Sequence, residues 1–341
     1  MSLPVFDGHN DVVLRIDEGR DFFAETTEGN IDLPRARRGG FGGGLFAVFV
    51  SGARTEEPSE GPKGAYSLPL SPPVEYEEAR SRADRLTDLL FGLERGGGFR
   101  VVRTAGEVEA SFEEGTMAAV LHFEGAEPIA DLAELARDYE RGLRSLGLVW
   151  SRANKYAEGV PFRFPASPDT GPGLTEAGRD LVRACNELGI LVDLSHLNLR
   201  GFFDAAELSS APLVESHSNV HALCPSTRNL TDDQLDAVAA SRGIVGVNFA
   251  VAFLREDGQL ERDTPLETVL DHVEYLVDRM GIDHVGLGSD YDGAAPPHAL
   301  RDVTCLPDLF DALRRRGYDD EALIKIAHRN WIRVLRETWD G

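Results

Sequence analysis

ELGILVDLSH, residues 187–196, leaves a helical pattern through Gly189, runs through an apolar stretch and stops at a serine and a histidine. Apolar residues at spacings of three and four over Thr175–Leu188 predict the helix, with Thr175 at its start. Ile190–Leu194 reads as a short strand, apolar on both faces, of the kind found in a covered parallel sheet. His196 then falls just beyond the C-terminal end of that strand. The question is whether this unit recurs.

It does. Strand-like runs occur at Leu3–Phe6, Leu45–Val50, Ala118–Phe123, Leu146–Trp150, Leu213–Glu215, Ile244–Phe249 and Val285–Leu287. Helical periodicity lies between many of them, at Val74–Glu94, Leu132–Leu146, Asp232–Ala240 and Pro265–Met280. Asp308–Arg316 and Asp320–Glu337 read as two closing helices. Eight alternations predict an α/β fold, a (β/α)8 TIM barrel formed by residues 1–341 as a single domain. The length exceeds the roughly 250 residues of a plain barrel, so insertions are expected. Residues 51–73 hold five prolines and residues 156–173 four, and both follow strands, which places them on the catalytic face as rim or lid.

Composition narrows the function. A formal net charge of -23 argues against nucleic-acid and anionic-membrane partners. The N-terminus has no basic start followed by an apolar stretch, and no apolar run reaches the ~18 residues of a membrane span. Cys185, Cys224 and Cys305 are too scattered for a disulfide framework or a CxxC zinc site. A cytoplasmic location is the expectation.

Polar residues mark the strand ends. His9 and Asp11 follow the first strand, Glu124 the third, His196 the fifth, His217 the sixth and Asp290 the eighth. In this fold those ends converge on one pocket. A lone HxD pair is usually a hydrogen-bonded turn. Five strand ends carrying ligand types together point to a divalent-metal site. Residues i and i+2 of an extended segment point the same way, so His9 and Asp11 can grip one ion. His196 and His217 can hold a second, with Glu124 bridging and a shared hydroxide nearly balancing the charge. Two ions about 3.5 Å apart acidify a shared water and polarise a carbonyl. His221 lies four residues after His217, and spacing alone leaves it open as a ligand. His122, His272, His284, His298 and His328 read as structural or surface residues.

FDGHND, GLTEAGRDLVRACNELGILVDLSH, ESHSNVHALCPSTRNLTDDQL and HVGLGSDYDG together resemble the renal (membrane) dipeptidase family of metallopeptidases in the amidohydrolase superfamily. The resemblance spans nearly the whole chain. It implies two Zn2+ ions, or other divalent metals: His9 and Asp11 on the first, His196 and His217 on the second, Glu124 between them, and His221 outside. It implies Asp290 as the general base, a role that overlaps with that of a ligand, with Asp292 the weaker candidate. Arg228 would meet the substrate's C-terminal carboxylate. The implied activity is hydrolysis of L-Xaa-L-Xaa or L-Xaa-D-Xaa dipeptides, with a homodimer as the implied assembly. The runner-up is a related amidohydrolase acting on N-acyl amino acids, lactones or phosphoesters, and a third reading is a metal-stabilised binding protein.

Three departures stand out. The family's usual histidine after the fourth strand is replaced by Trp150, with Arg152 or Asn154 as candidate substitutes in the substrate site. EGA stands for the family's EGG, with His122 just before it, and His328 stands where a glycine is usual.

Overall fold

A computed structural model describes residues 3–52, 59–60, 65–68, 70 and 72–340. Eight parallel strands close into a barrel: β1 (Val5–Asn10), β2 (Phe41–Phe49), β3 (Met117–Glu124), β4 (Leu143–Gly147), β5 (Leu191–Asp193), β6 (Val214–Ser218), β7 (Ile244–Val247) and β8 (Val285–Leu287). Each pairs in parallel with the next, and β8 returns to β1 through Leu287 and Asp7. Helices lie between the strands, so the (β/α)8 expectation holds. A short strand, Phe99–Val101, extends the sheet beside the start of β3.

Two layers of apolar side chains hold the barrel. Phe6, Leu45, Ala118, Val120, Leu191, Val214 and Ile244 form one buried cluster with Trp331. Phe46, Val48, Ala119, Leu121, Val245 and Val285 belong to the layer packed with the helices. This alternation is the period-two pattern of a strand buried on both faces. Trp331, on the C-terminal helix Asn330–Trp339, is fully buried, packs its ring 5.8 Å from that of Phe6 and donates its indole N–H to Leu287 O at 3.0 Å. Gly8 and Gly286 make room for it. A Cβ on either would lie 2.4 Å from the indole.

Local signals set the helix boundaries. Thr175 accepts from Gly178 N at 3.0 Å, and Gly189 closes that helix at φ 69°. Leu132–Arg141 is shorter than expected because Gly142, at φ 130°, stops it; Leu143 then begins β4, which ends at Gly147 and not at Trp150. The closing helix is also interrupted, by a π-turn at Lys325–Arg329 whose His328 donates from Nδ1 to Pro4 O at 2.7 Å. Helices Ala105–Glu114 and Leu199–Leu208 are present without having been singled out in the sequence.

The two proline-rich stretches meet. Tyr66–Leu68 pairs antiparallel with Phe162–Phe164 and with Ser59–Glu60 to form a small sheet. Much of the 51–73 excursion, at residues 53–58, 61–64, 69 and 71, lies outside the described residues. Among the described residues no helix is long and apolar enough to cross a membrane.

Candidate metal centre

Glu124 is the last residue of β3, and its Oε1 faces three imidazoles. It lies 3.0 Å from His196 Nε2, 3.7 Å from His9 Nε2 and 3.8 Å from His217 Nε2. The His9 and His217 rings stack at 3.9 Å, and the Nε2 atoms of His196 and His217 are 3.0 Å apart. Asp11 Oδ2 is 3.3 Å from His9 Nε2. Asp11 reaches it differently from the expected extended pair: it sits just before the short helix Val12–Asp17 at φ -108°, ψ 22°, with no side-chain capping bond to that helix.

Three donor groups among the described residues, His9–Glu124–His217, His9–Asp11–Asp290 and, deeper in the barrel, His9–His122–Asp193, each bring their ligand atoms within 4.8 Å of one another. His9 is common to all three.

The backbone is bent to achieve this. His196 has φ 72° and Asp290 φ 59°, left-handed values that cost non-glycine residues of order 1–3 kcal/mol. Asp290 N donates to His9 O at 3.0 Å and Asp11 N to Tyr291 O at 2.8 Å, which ties the ends of β1 and β8 together.

A supporting layer aims the imidazoles. Ser151 Oγ is 2.7 Å from His196 Nδ1, and Ser216 Oγ is 2.7 Å from His217 Nδ1. Ser216 Oγ in turn donates to Asp193 Oδ2 at 2.6 Å. Asn248 Nδ2 donates to Asp290 Oδ2 at 3.0 Å. These groups escaped the sequence reading, although Asn248 stands just past β7, where the strand-end rule would have found it.

The donors fit a divalent metal. Both ring nitrogens of His9 are buried without a hydrogen-bond partner, which is costly for an imidazole unless something else satisfies it. His217 donates from Nδ1 to Ser216 Oγ and turns Nε2 inward, the arrangement that orients an imidazole ligand; His196 also turns Nε2 inward, with Nδ1 held between Ser151 Oγ and the Nε–H of Arg228. Three imidazoles and three carboxylates suit hard-to-borderline dications.

Electrostatics lead the same way. Burial raises the Glu124 carboxyl well above its usual range, against the pull of His9. Burial alone would lower His9, but Glu124, Asp11 and Asp290 outweigh it and raise it to about 10. The pocket therefore demands positive charge. Burial pushes His196 and His217 well below the usual histidine range, keeping them neutral donors.

The centre opens into a cavity of ≈560 Å³ lined by Asp11, Glu124, His196, Asp290 and Trp150 among others. A larger one, ≈780 Å³, opens beside it around Arg20 and Asp292 and carries none of the expected ligands. Asp292 there is bound by both terminal nitrogens of Arg20, at 2.9 and 2.7 Å, and accepts from Asn30 N, so it braces the loop.

The other sequence candidates separate. Trp150 lines the cavity with its ring 5.9 Å from His196. Arg152 lies behind it, with Nε 3.0 Å from Glu127 Oε1. Asn154 does not line the cavity; its amide serves Leu148 O, Tyr156 N and Ala157 N. Arg228 is buried beneath His196, donating to Ser218 Oγ at 3.2 Å and His217 O at 3.0 Å, with Nε 3.1 Å from His196 Nδ1. His221 points to Ala166 O at 3.0 Å, away from the ligands. His122 is fully buried, edge-on to His9 at 5.5 Å, with Nε2 3.6 Å from Asp193 Oδ2.

Residues 1–340 match the family described as membrane dipeptidase, peptidase family M19. The chain is 33% identical over 346 residues to the dipeptidase tcpJ of Claviceps purpurea, covering 98% of this chain and 77% of that protein. It is 48% identical over 244 residues to a protein encoded in the pqqA 5′ region of Klebsiella pneumoniae, covering 71% and 90% respectively. Its structure is similar to that of a metallopeptidase from Rhodobacter sphaeroides liganded with a phosphinate mimic of L-Ala-D-Ala, with a TM-score of 0.94 and 48% identity over 99% of this chain and 100% of that one. A barrel whose strand ends gather three imidazoles around one carboxylate, in a chain with these relatives, belongs to the membrane dipeptidase family, peptidase family M19, and is a metallo-dipeptidase.

Proposed function

We propose that this chain acts as one catalytic domain that hydrolyses L-Xaa-L-Xaa and L-Xaa-D-Xaa dipeptides with two zinc ions. The observation that carries this is Glu124 Oε1, within 3.8 Å of the Nε2 atoms of His9, His196 and His217 at the mouth of one cavity. His9 and Asp11 would hold one zinc, His196 and His217 the other, and Glu124 would bridge. When bound, the metals polarise the scissile carbonyl and acidify the attacking water.

The protein's own groups complete the reaction. Asp290, steadied at Oδ2 by Asn248, takes a proton from the attacking water and delivers it to the leaving amine nitrogen as the C–N bond breaks. Arg228 supplies the positive charge that draws the substrate's carboxylate toward the His196 side of the cavity. Trp150 closes that side against water. The phosphinate dipeptide mimic bound by the Rhodobacter sphaeroides relative supports the L-D half of this substrate range.

The test is steady-state hydrolysis of L-L and L-D dipeptides by zinc-loaded protein, beside their N-acetylated forms, with zinc content measured in parallel. Cleavage of the free dipeptides at two zincs per chain is expected. Cleavage of the acetylated compounds alone would move the assignment to an N-acyl-amino-acid amidohydrolase.

A further inference from the structure

Part of the cavity lining is apolar, and both proline-rich excursions contribute to it. Leu68 comes from the first and Phe162 from the second, and they sit directly opposite each other in the small antiparallel sheet. The rings continue from there. Phe162 lies 6.1 Å from Phe253, nearly parallel at 19°, and 5.6 Å from Trp150, which lies 4.9 Å from Phe49. Phe162 is also edge-on to His196 at 6.1 Å, so the row runs alongside the metal ligands. Its Phe253 end lies 5.7 Å from the Arg228 guanidinium carbon.

Charged groups near this wall are already engaged. Arg152, 5.3 Å from the Trp150 ring, pairs with Glu127 behind it. Arg15, the only arginine or lysine lining the cavity among the described residues, holds Asp292 O at 3.0 Å and Glu18 at 2.9 Å. With Arg228, at the Phe253 end, taken up by the substrate's own carboxylate in the proposed reading, an acidic side chain placed against the rings would lose its hydration without gaining a partner. An aliphatic or aromatic one would bury against them.

We propose that Leu68, Phe162 and Phe253, extended by Trp150 and Phe49, form a subsite for a bulky apolar side chain on the C-terminal residue of the dipeptide. The position follows from the Phe253 end lying beside Arg228. Side chain and carboxylate share one α-carbon, so a carboxylate drawn toward Arg228 directs its own side chain along this row. This rests on the dipeptidase reading and on the role proposed for Arg228.

The experiment compares kcat/KM for Ala-Xaa and Xaa-Ala series, with Xaa as Ala, Leu, Phe, Asp or Lys, using both L and D forms at the C-terminal position. Leu and Phe should exceed Ala and Asp by roughly 10- to 100-fold in Ala-Xaa, and by less in Xaa-Ala. A flat Ala-Xaa profile, one led by Asp or Lys, or a steeper Xaa-Ala series would overturn the subsite while leaving the dipeptidase reading intact. Hydrolysis of no member would sink both. Leu68→Ala should flatten the Ala-Xaa preference. Leu68→Arg should raise kcat/KM for Ala-Asp above the wild-type value, a gain that a misfolded variant cannot give, and no gain with Leu68→Arg would count against the wall as the side-chain contact.

Discussion

Ser216 Oγ lies 2.7 Å from His217 Nδ1, and it passes that contact on to Asp193 Oδ2 at 2.6 Å. Asp193 also accepts from Ser195 N and Ser216 N, so the carboxylate is fixed from two strand ends. The relay holds the His217 ring with Nε2 turned toward Glu124. Ser216→Ala removes it without touching a ligand. Metal affinity should fall roughly 10- to 100-fold, read by competition with a chromogenic chelator. An unchanged affinity would show that packing alone orients His217.

Asp290 is the carboxylate expected to move a proton. Asp290→Asn keeps the shape and the Asn248 contact region but removes the base. Turnover should fall ~10²- to 10⁴-fold while the metal content stays the same. Loss of metal together with activity would make Asp290 chiefly a ligand.

Trp331 closes the barrel beneath the site, fully buried against Phe6 and donating to Leu287 O. Trp331→Ala leaves a cavity between Gly8 and Gly286 and should cost about 3–5 kcal/mol in urea unfolding of the metal-free protein. A cost below about 1 kcal/mol would mean that the barrel interior collapses around the gap.

His272 sets an acid limit that is independent of the metal centre. Its Nδ1 accepts from Val220 N at 3.1 Å and its Nε2 donates to Leu254 O at 2.9 Å, so the ring is held neutral. Burial lowers its pKa from 6.5 to about 4. Above pH 6.5 neither the folded nor the unfolded chain protonates it, and it has no effect. Between 6.5 and about 4 the unfolded chain takes a proton that the folded chain refuses, so stability falls, by about 3 kcal/mol in all. Urea unfolding at pH 7 and pH 5 should show a smaller drop for His272→Asn than for wild type; equal drops would contradict this.

Strand identity and the meeting of the polar strand ends were both determined by the sequence alone. Each expected apolar run overlaps or adjoins a barrel strand, because strands buried on both faces are apolar along their length. The His, Asp and Glu residues at their ends fell together because a parallel barrel sends every C-terminal strand end to one mouth. The tertiary structure decided what depends on partners far apart in the chain. Gly142 moved β4, and a π-turn broke the last helix, where local periodicity misplaced both. The Asp193–Ser216–His217 relay, the burial of Arg228 under His196, and the turning away of His221 and Asn154 rest on hydrogen bonds that no spacing encodes. The apolar wall is the clearest case. Leu68 and Phe162 lie in two excursions nearly a hundred residues apart, and only strand pairing across the barrel mouth makes them one surface.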